Sequence, residues 1–109
     1  MIIEMIRMPV PPKKGQELGK ALASYIGPIQ VQPGCVSCQL TQPWPSQNQF
    51  LIEARWDSQE SLVGHLRSDI YKRLLLLMEL GDAPPVLEFF TVVEIRGLDL
   101  VESARTATN

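Results

Sequence analysis

Four short apolar segments and two longer segments with helical periodicity alternate along this chain of 109 residues. The short segments have the length and composition of strands, and the longer ones repeat apolar residues at helical spacing. The predicted strands cover residues 1–9, 35–41, 50–56 and 86–95, and the predicted helices cover residues 13–26 and 57–80. This order, βαββαβ, is typical of a ferredoxin-like α+β domain, in which both helices lie on one face of an antiparallel sheet.

The ends of the two predicted helices carry recognisable signals. Gly27 and Pro28 are expected to end the first helix. Asp57 is expected to cap the second, with Glu60 three residues later completing a capping box. The chain has the length of one domain, which we assign to residues 1–102. Residues 103–109 are small and polar, and we expect them to form a frayed, disordered tail.

Two of the predicted strands are apolar on both faces. A sheet with one face in water should alternate apolar and polar residues, and the first and fourth strands do so poorly. The residues concerned are Ile2, Ile3, Met5 and Ile6, and Phe89, Phe90, Val92 and Val93. Helices cover only one face, so we predict a homodimer with two sheets packed face to face as a barrel. The alternative is a monomer with an exposed apolar face, which would favour aggregation.

Charge and hydropathy exclude several classes of partner. The net charge of −2 provides no basic field, so no nucleic acid is expected as a partner. No apolar run is long enough to span a bilayer, so no membrane partner is expected. The N-terminal residues carry charges where a signal peptide would be apolar, which predicts a cytoplasmic protein.

The two cysteines, Cys35 and Cys38, have the spacing of a redox motif. Such a motif requires its first cysteine at the start of a helix, but Pro33 and Gly34 predict a turn followed by a strand. The pattern therefore favours two small buried residues in a strand. Two cysteines and one distant histidine are also too few for a zinc site, so no metal site is predicted.

The residues with the greatest potential for chemistry are concentrated between positions 53 and 72. A predicted strand ends at Trp56, a helix follows directly, and the only histidine of the chain, His65, lies on that helix. Tyr71 follows in a Ser-Asp-Ile-Tyr segment. His65 is the only side chain whose ordinary titration range lies near neutral pH, so it is the candidate proton acceptor.

This segment and its surroundings resemble the antibiotic biosynthesis monooxygenase family, over roughly residues 1–97. The motifs that carry the resemblance are Pro33-Gly34-Cys35, Trp56 with Ser58 and Glu60, His65-Leu66-x-Ser68-Asp69-x-Tyr71, and Pro84-Pro85 before an aromatic strand. The resemblance implies a dimeric α+β barrel. It also implies small oxygenases that act on phenolic, anthrone-like or quinol substrates without metal or flavin. Other members degrade haem or isomerise small molecules, and some have no known activity.

Within this resemblance, the haem-degrading branch fits poorly. Its axial histidine would fall at Leu75, and its pocket tryptophan would fall at His65. Leucine cannot ligate iron. We therefore expect no haem and, following the cofactor-free oxygenases, no other cofactor.

The leading hypothesis is a cofactor-independent monooxygenase that oxidises an electron-rich aromatic or quinol-type compound in an apolar pocket between sheet and helices. His65 would be the base, and Asp69 one turn later would orient its ring. Trp56 would position the substrate, although a core residue that seals the strand-to-helix corner is the better explanation of a tryptophan here. Tyr71 is a further catalytic candidate, which would donate its hydroxyl to a bound oxygen species, although it is expected on the opposite flank of the helix from His65. Possible pocket walls are Phe50, Leu66 and Phe89.

Two alternatives remain at the sequence level. One is a non-catalytic ligand-binding or stress-associated dimer with the same barrel. The other is an isomerase of a small enolisable compound, which would need further polar groups beside His65. A closed apolar cavity facing His65 would favour the oxygenase, whereas a filled interior with His65 in solvent would favour the binding protein.

Overall fold

In a computed structural model, residues 1–44, 48–81 and 83–106 are described. Their helices and strands follow the predicted order, with an additional break in the second helical region and an additional helix near the end. The elements are β1 (Ile2–Pro9), α1 (Gly15–Gln30), β2 (Cys35–Thr41), β3 (Gln49–Trp56), α2 (Gln59–Leu66), α3 (Asp69–Met78), β4 (Val86–Thr91) and α4 (Leu98–Thr106).

The four strands form one antiparallel sheet in the order β2-β3-β1-β4. This is the ferredoxin-like α+β topology, so the predicted fold class is confirmed. The central pair is β1 and β3, in a register that places Ile2 opposite Trp56 and Glu4 opposite Ala54. Cross-strand partners project to the same side of a sheet, so Glu4 and Trp56 are diagonal neighbours on one face.

The face of the sheet that carries Glu4 and Trp56 also carries the hydrophobic core. Every second side chain of β3 from Phe50 to Trp56 is buried, as expected of a strand with one face towards the core. Leu18, Leu22 and Ile29 of α1 cover this face. Leu62 of α2 and Leu74 and Met78 of α3 complete the cover.

The predicted end of the first helix is wrong, because α1 continues through Gly27 and Pro28 to Gln30. Proline removes one backbone donor, but it can remain in a helix where packing compensates. Ile29 in the last turn is only 1% exposed, and its packing in the core stabilises the turn. The extra turn places Gln32 close to α2.

The second predicted helix is divided in two. Helix α2 ends at Leu66, and Ser68 caps a new helix by accepting a hydrogen bond from the Tyr71 amide at 3.2 Å. The N-cap of α2 is Ser58, which accepts from the Ser61 amide, so the predicted cap at Asp57 is wrong. Because the chain changes direction at Ser68, residues on either side of it no longer share one helical phase.

The turn before β2 packs closely against the start of α2. Gly34 has a φ of 79°, and a Cβ at this position would collide with the Ser61 hydroxyl. The Gly34 carbonyl accepts a hydrogen bond from the Asp57 amide at 2.9 Å. Glycine is therefore required here both by its conformation and by its close approach to α2.

The C-terminal part departs from the sequence prediction. Strand β4 ends at Thr91 rather than at residue 95, and Leu98–Thr106 form α4, where a frayed tail was expected from residue 103. Every residue of α4 is exposed. Residues 107–109 of the predicted tail lie outside the described residues, as do residues 45–47 between β2 and β3. Among the described helices, none has the length and apolar character that a bilayer crossing requires.

Candidate functional site

Four side chains from four elements meet beneath the helices at one end of the sheet. Glu4 projects from β1, Trp56 ends β3, His65 lies on α2 and Tyr71 on α3. All four are buried, with exposed fractions of 1% for Glu4, 0% for Trp56, 3% for His65 and 5% for Tyr71. A buried carboxylate and imidazole are costly unless they are paired, so their contacts define what this cluster can do.

The hydrogen bonds of His65 link the sheet to the end of α1. His65 Nε2 lies 3.2 Å from Glu4 Oε1, and His65 Nδ1 lies 2.6 Å from Gln32 Oε1. The Trp56 indole N–H donates to the same Glu4 Oε1 at 3.2 Å. The other carboxylate oxygen, Glu4 Oε2, has no hydrogen-bond partner among the described residues. One carboxylate oxygen thus holds both the imidazole and the indole.

Two aromatic rings enclose the imidazole. Trp56 stacks on it with ring centroids 4.4 Å apart and planes inclined by 26°. Tyr71 approaches edge-on, with centroids 4.9 Å apart and an angle of 78°. Burial, and secondarily the negative charge of Glu4, raise the pKa of Tyr71 to about 12. The phenol therefore keeps its proton near neutral pH and can donate a hydrogen bond.

The protonation of the imidazole follows from its partners. An ionised carboxylate only accepts hydrogen bonds, so Nε2 carries a proton when it faces Glu4. A glutamine amide can accept through its oxygen or donate through its nitrogen, and rotation of the amide exchanges the two. Gln32 can therefore accept from a protonated Nδ1 or donate to a bare one. The arrangement allows His65 to gain and lose a proton while both nitrogens remain hydrogen-bonded.

A surface groove of about 490 Å³ lies beside His65. It is bounded by the turn before β2 and by α2. Its lining residues are Gln32, Pro33, Glu60, Ser61, Gly64, His65 and Ser68. The volume lies within the range of about 300–1,000 Å³ that is typical of ligand sites. The space between sheet and helices around Trp56 and Leu74 is densely filled, since both are 0% exposed.

The structure corrects two expectations about this cluster. Tyr71 was placed on the opposite flank from His65, but the two rings are in contact because the helix breaks at Ser68. Asp69 was expected to orient the imidazole, whereas Glu4 and Gln32 hold its two nitrogens. Asp69 is the first residue of α3 and is exposed.

The three possible pocket walls are in different places. Phe50 is buried against Gly19 at the far end of β3, about 20 Å along the strand from Trp56 at about 3.3 Å per residue. Leu66 ends α2 and is half-buried against the core. Phe89 pairs with Glu4 across the sheet and shares its face, with an exposed fraction of 44%. Only Leu66 and Phe89 are brought towards the cluster.

Sequence reasoning missed Glu4 and Gln32. Glu4 did carry a signal, because it is the one acidic residue in an otherwise apolar run, Ile2 to Ile6, at a position with the parity of the buried face. Charged residues are seldom buried without a partner. Gln32 carried no comparable signal, because it follows α1 in a turn and approaches His65 only through the fold.

The two cysteines lack the features of a redox-active pair, which needs a thiol of low pKa at the start of a helix. Both thiols are free on β2, and burial raises the pKa of Cys38 to about 12. Burial also raises the pKa of Cys35. Thiolates are therefore disfavoured, in agreement with the prediction of small strand residues. Leu75, where the resemblance places the axial histidine of the haem-degrading branch, is 40% exposed. Within residues 1–44, 48–81 and 83–106, no three His, Cys, Asp or Glu side chains are grouped as a metal site would require.

Comparisons with known proteins agree with this fold. The family model described as antibiotic biosynthesis monooxygenase matches residues 1–75. The chain is similar to the solved structure of a conserved protein from Methanosarcina mazei Go1, at 25% identity and a TM-score of 0.75 over 83% of this chain and 91% of that one. It is also similar to Rv0793 from Mycobacterium tuberculosis, at 20% identity and a TM-score of 0.79 over 88% and 98%. A comparison with curated proteins gives no significant match.

Proposed function

This chain belongs to the antibiotic biosynthesis monooxygenase family, and we propose that it is a cofactor-independent oxygenase of small, electron-rich aromatic or quinol-type compounds. His65 removes a proton from the substrate, and the resulting anion reacts directly with molecular oxygen. Trp56 and Tyr71 hold the imidazole between them and exclude water from it.

The observation that carries this proposal is the buried pair of His65 and Glu4, 3.2 Å apart. A general base must be held in a defined orientation and must have a partner for the positive charge it acquires. Glu4 supplies both functions, since its carboxylate accepts from the ring and carries the opposite charge.

The proposed reaction balances without a further reductant. An anthrone-type CH₂ group loses one proton to His65 and becomes an electron-rich anion. Its carbon forms a bond to one oxygen atom of O₂, and the other oxygen atom takes a proton to give a hydroperoxide. Loss of water then breaks the O–O bond and the remaining C–H bond and leaves a carbonyl. The substrate supplies all four electrons, one oxygen atom enters the product and the other becomes water.

A second candidate is an isomerase of a small enolisable compound. That reaction needs polar groups beside the base, and Glu4 and Gln32 are such groups. Proton removal from one carbon and return to the next would use the same histidine without oxygen. The two candidates differ in one measurable respect, because only the oxygenase consumes O₂.

We expect the native chain to consume oxygen with at least one member of a panel of anthrones, quinols and polyphenols, above the rate of spontaneous oxidation. His65→Gln should reduce kcat/KM about a hundredfold, which lies within the range that general acid–base catalysis contributes. Lys72→Gln, an exposed position on α3, is the matched control and should keep the native rate. With isotopically labelled oxygen gas, the label should appear in the product carbonyl.

Oxygen uptake that is equal in the native and His65→Gln proteins would remove His65 as the base. Proton exchange at the substrate carbon without oxygen uptake would favour the isomerase. Absence of both activities would favour a ligand-binding protein, in agreement with the densely filled interior around Trp56.

We also propose that the chain forms a homodimer through the outer face of its sheet. The register places Ile3, Met5 and Phe90 on this face, opposite to the helices. Phe90 is 43% exposed and Ile3 and Met5 are half-buried in the single chain. Apolar surface of this kind on a sheet is stabilised when a second sheet covers it.

Phe90→Glu is expected to convert the dimer into a monomer, as measured by sedimentation velocity. A charge in the centre of an apolar interface loses its water without gaining a partner. Leu76→Glu is the matched control, because it introduces the same charge at an exposed position of α3, on the helix side of the sheet. A native chain that sediments as a monomer would rule out the dimer.

A further inference from the structure

On the basis of the proposed function, we infer that the groove outside α2 is the substrate-binding site and that His65 Nδ1 is the atom that takes the proton. Glu4 is a positioning residue that acts on the opposite nitrogen. Gln32 is hydrogen-bonded to Nδ1 in the free protein, and the substrate hydroxyl or acidic C–H replaces it there. The substrate therefore approaches from the outer surface of the helices and not from between the sheet and the helices.

The role of Glu4 follows from the directions in which the ring nitrogens point. Nε2 points inward to Glu4 Oε1, which is 1% exposed and already accepts from the Trp56 indole. A substrate cannot reach Nε2 without displacing this buried network. An ionised carboxylate keeps the proton on Nε2 in both states of the ring. The proton that is exchanged during a reaction is therefore the one on Nδ1.

Gln32 is the hydrogen-bond partner of Nδ1 and is also a lining residue of the groove. Its amide lies 2.6 Å from Nδ1, and both Gln32 and His65 line the groove. Glutamine is uncharged, so its removal from the ring leaves no unpaired charge behind. A substrate hydroxyl can replace it as the partner of Nδ1.

The groove itself has the size and chemistry of a small-molecule site. Its volume of about 490 Å³ accommodates a compound of a few fused rings. Ser61 and Ser68 provide hydroxyls at its wall, and Glu60 is its one acidic residue. Gly64 lines the groove beside free space, since a Cβ at this position would meet nothing within 4 Å. A large side chain at Gly64 can therefore fill the groove without disturbing the core.

The first test observes the ring directly and does not depend on turnover. His65 is the only histidine, so isotopically labelled histidine gives a single pair of ring-nitrogen signals in NMR spectra. Under conditions where the ring carries one proton, we expect that proton on Nε2 in the native chain. In Glu4→Leu it should move to Nδ1, because Nε2 then faces an apolar group, while rotation of the Gln32 amide allows its Oε1 to accept from Nδ1. Glu4→Gln should restore the proton to Nε2, since the amide oxygen can accept from it.

A native ring with its single proton on Nδ1 would overturn this assignment, as would an unchanged position in Glu4→Leu. A purely structural role for Glu4 would change the melting temperature and leave the position of the proton as it is. The proton position can be read whether or not the protein consumes oxygen, so this test and the test of the proposed function can fail separately.

The second test fills the groove. Gly64→Phe should raise KM about tenfold for whichever anthrone or quinol the native chain turns over, because the added ring competes with the substrate for space. Lys72→Phe adds the same ring to an exposed position of α3 outside the groove and should keep the native KM. A dihydroxyanthraquinone, used as a product-like probe that does not react, should shift the His65 ring signals in Lys72→Phe but not in Gly64→Phe.

An unchanged KM in Gly64→Phe, or probe-induced shifts of equal size in both variants, would place the substrate elsewhere and overturn the proposal. If no compound is turned over, the shifts of the ring signals by the probe still decide whether the groove is a ligand site.

Discussion

Replacing His65 with leucine is expected to lower the free energy of unfolding by about 3–5 kcal/mol, the usual cost of leaving a buried charge without its partner. The leucine leaves Glu4 only 1% exposed and deprived of its imidazole partner, with the Trp56 indole as its remaining donor. The carboxylate must then remain charged in an apolar environment, take up a proton or distort the sheet, and each of these costs free energy. Urea unfolding followed by circular dichroism measures the change.

The double variant Glu4→Leu/His65→Leu separates the pair from its packing. We expect it to be more stable than His65→Leu alone, because apolar side chains that replace both partners of a buried pair are often tolerated. Glu4→Leu alone should cost less than His65→Leu. The imidazole that Glu4→Leu leaves buried can be neutral, whereas the carboxylate that His65→Leu leaves buried is charged unless it binds a proton. A double variant whose loss equals the sum of the two single losses would mean that the two side chains do not interact.

Truncation of Trp56 to alanine is expected to cost about 3–5 kcal/mol, the range measured for large aromatic residues in cores. Trp56 is 0% exposed at the corner where β3 passes into α2, and it contacts the imidazole and the carboxylate at once. Its loss opens a cavity and removes one of the two donors to Glu4. Thermal and urea unfolding should both report the loss.

Trp56→Phe is the informative control, because it keeps a ring over His65 and removes only the indole N–H and part of the volume. Its cost should be markedly smaller, nearer the roughly 1 kcal/mol of a single hydrogen bond plus a small cavity. Equal losses in Trp56→Ala and Trp56→Phe would mean that the hydrogen bond to Glu4, rather than packing, determines the contribution of Trp56.

These two predictions bear on why a small domain retains a buried glutamate and histidine in its core. If the apolar double variant is as stable as the native chain, the pair is not needed for folding, and its retention is explained by chemistry. The same variant should have no oxygenase activity, because it contains no titratable group in place of His65. Stability and activity measured on that one protein would therefore separate the structural role of the pair from its proposed catalytic role.

Much of the fold could be predicted because it depends on local patterns. The alternation in residues 50–56 determines which side of β3 is buried, and the helical spacing of Leu18, Leu22, Leu62 and Leu74 determines which sides of the helices cover it. The proline and glycine residues between these segments predict most of the connections. Such features require only neighbouring residues, and the antiparallel sheet with helices on one face follows from their order.

The break between α2 and α3 was missed because apolar periodicity alone continues across it. Leu62, Leu66, Ile70 and Leu74 suit one continuous helix, and each contacts the core in the divided helix as well. The signal that was available is Ser68 followed by Asp69, which is typical of a helix start. The break brings Tyr71 to His65, a contact that a straight helix would not allow.

The class of fold, the family and the single histidine on which the proposed chemistry depends are evident from the residues alone. The partners of that histidine are evident only in the folded chain. Glu4 reaches His65 because the register of β1 against β3 places it diagonally from Trp56, and Gln32 reaches it because α1 extends past Pro28. Strand register and the relative placement of helices depend on packing between residues far apart in the chain, and no local pattern encodes them.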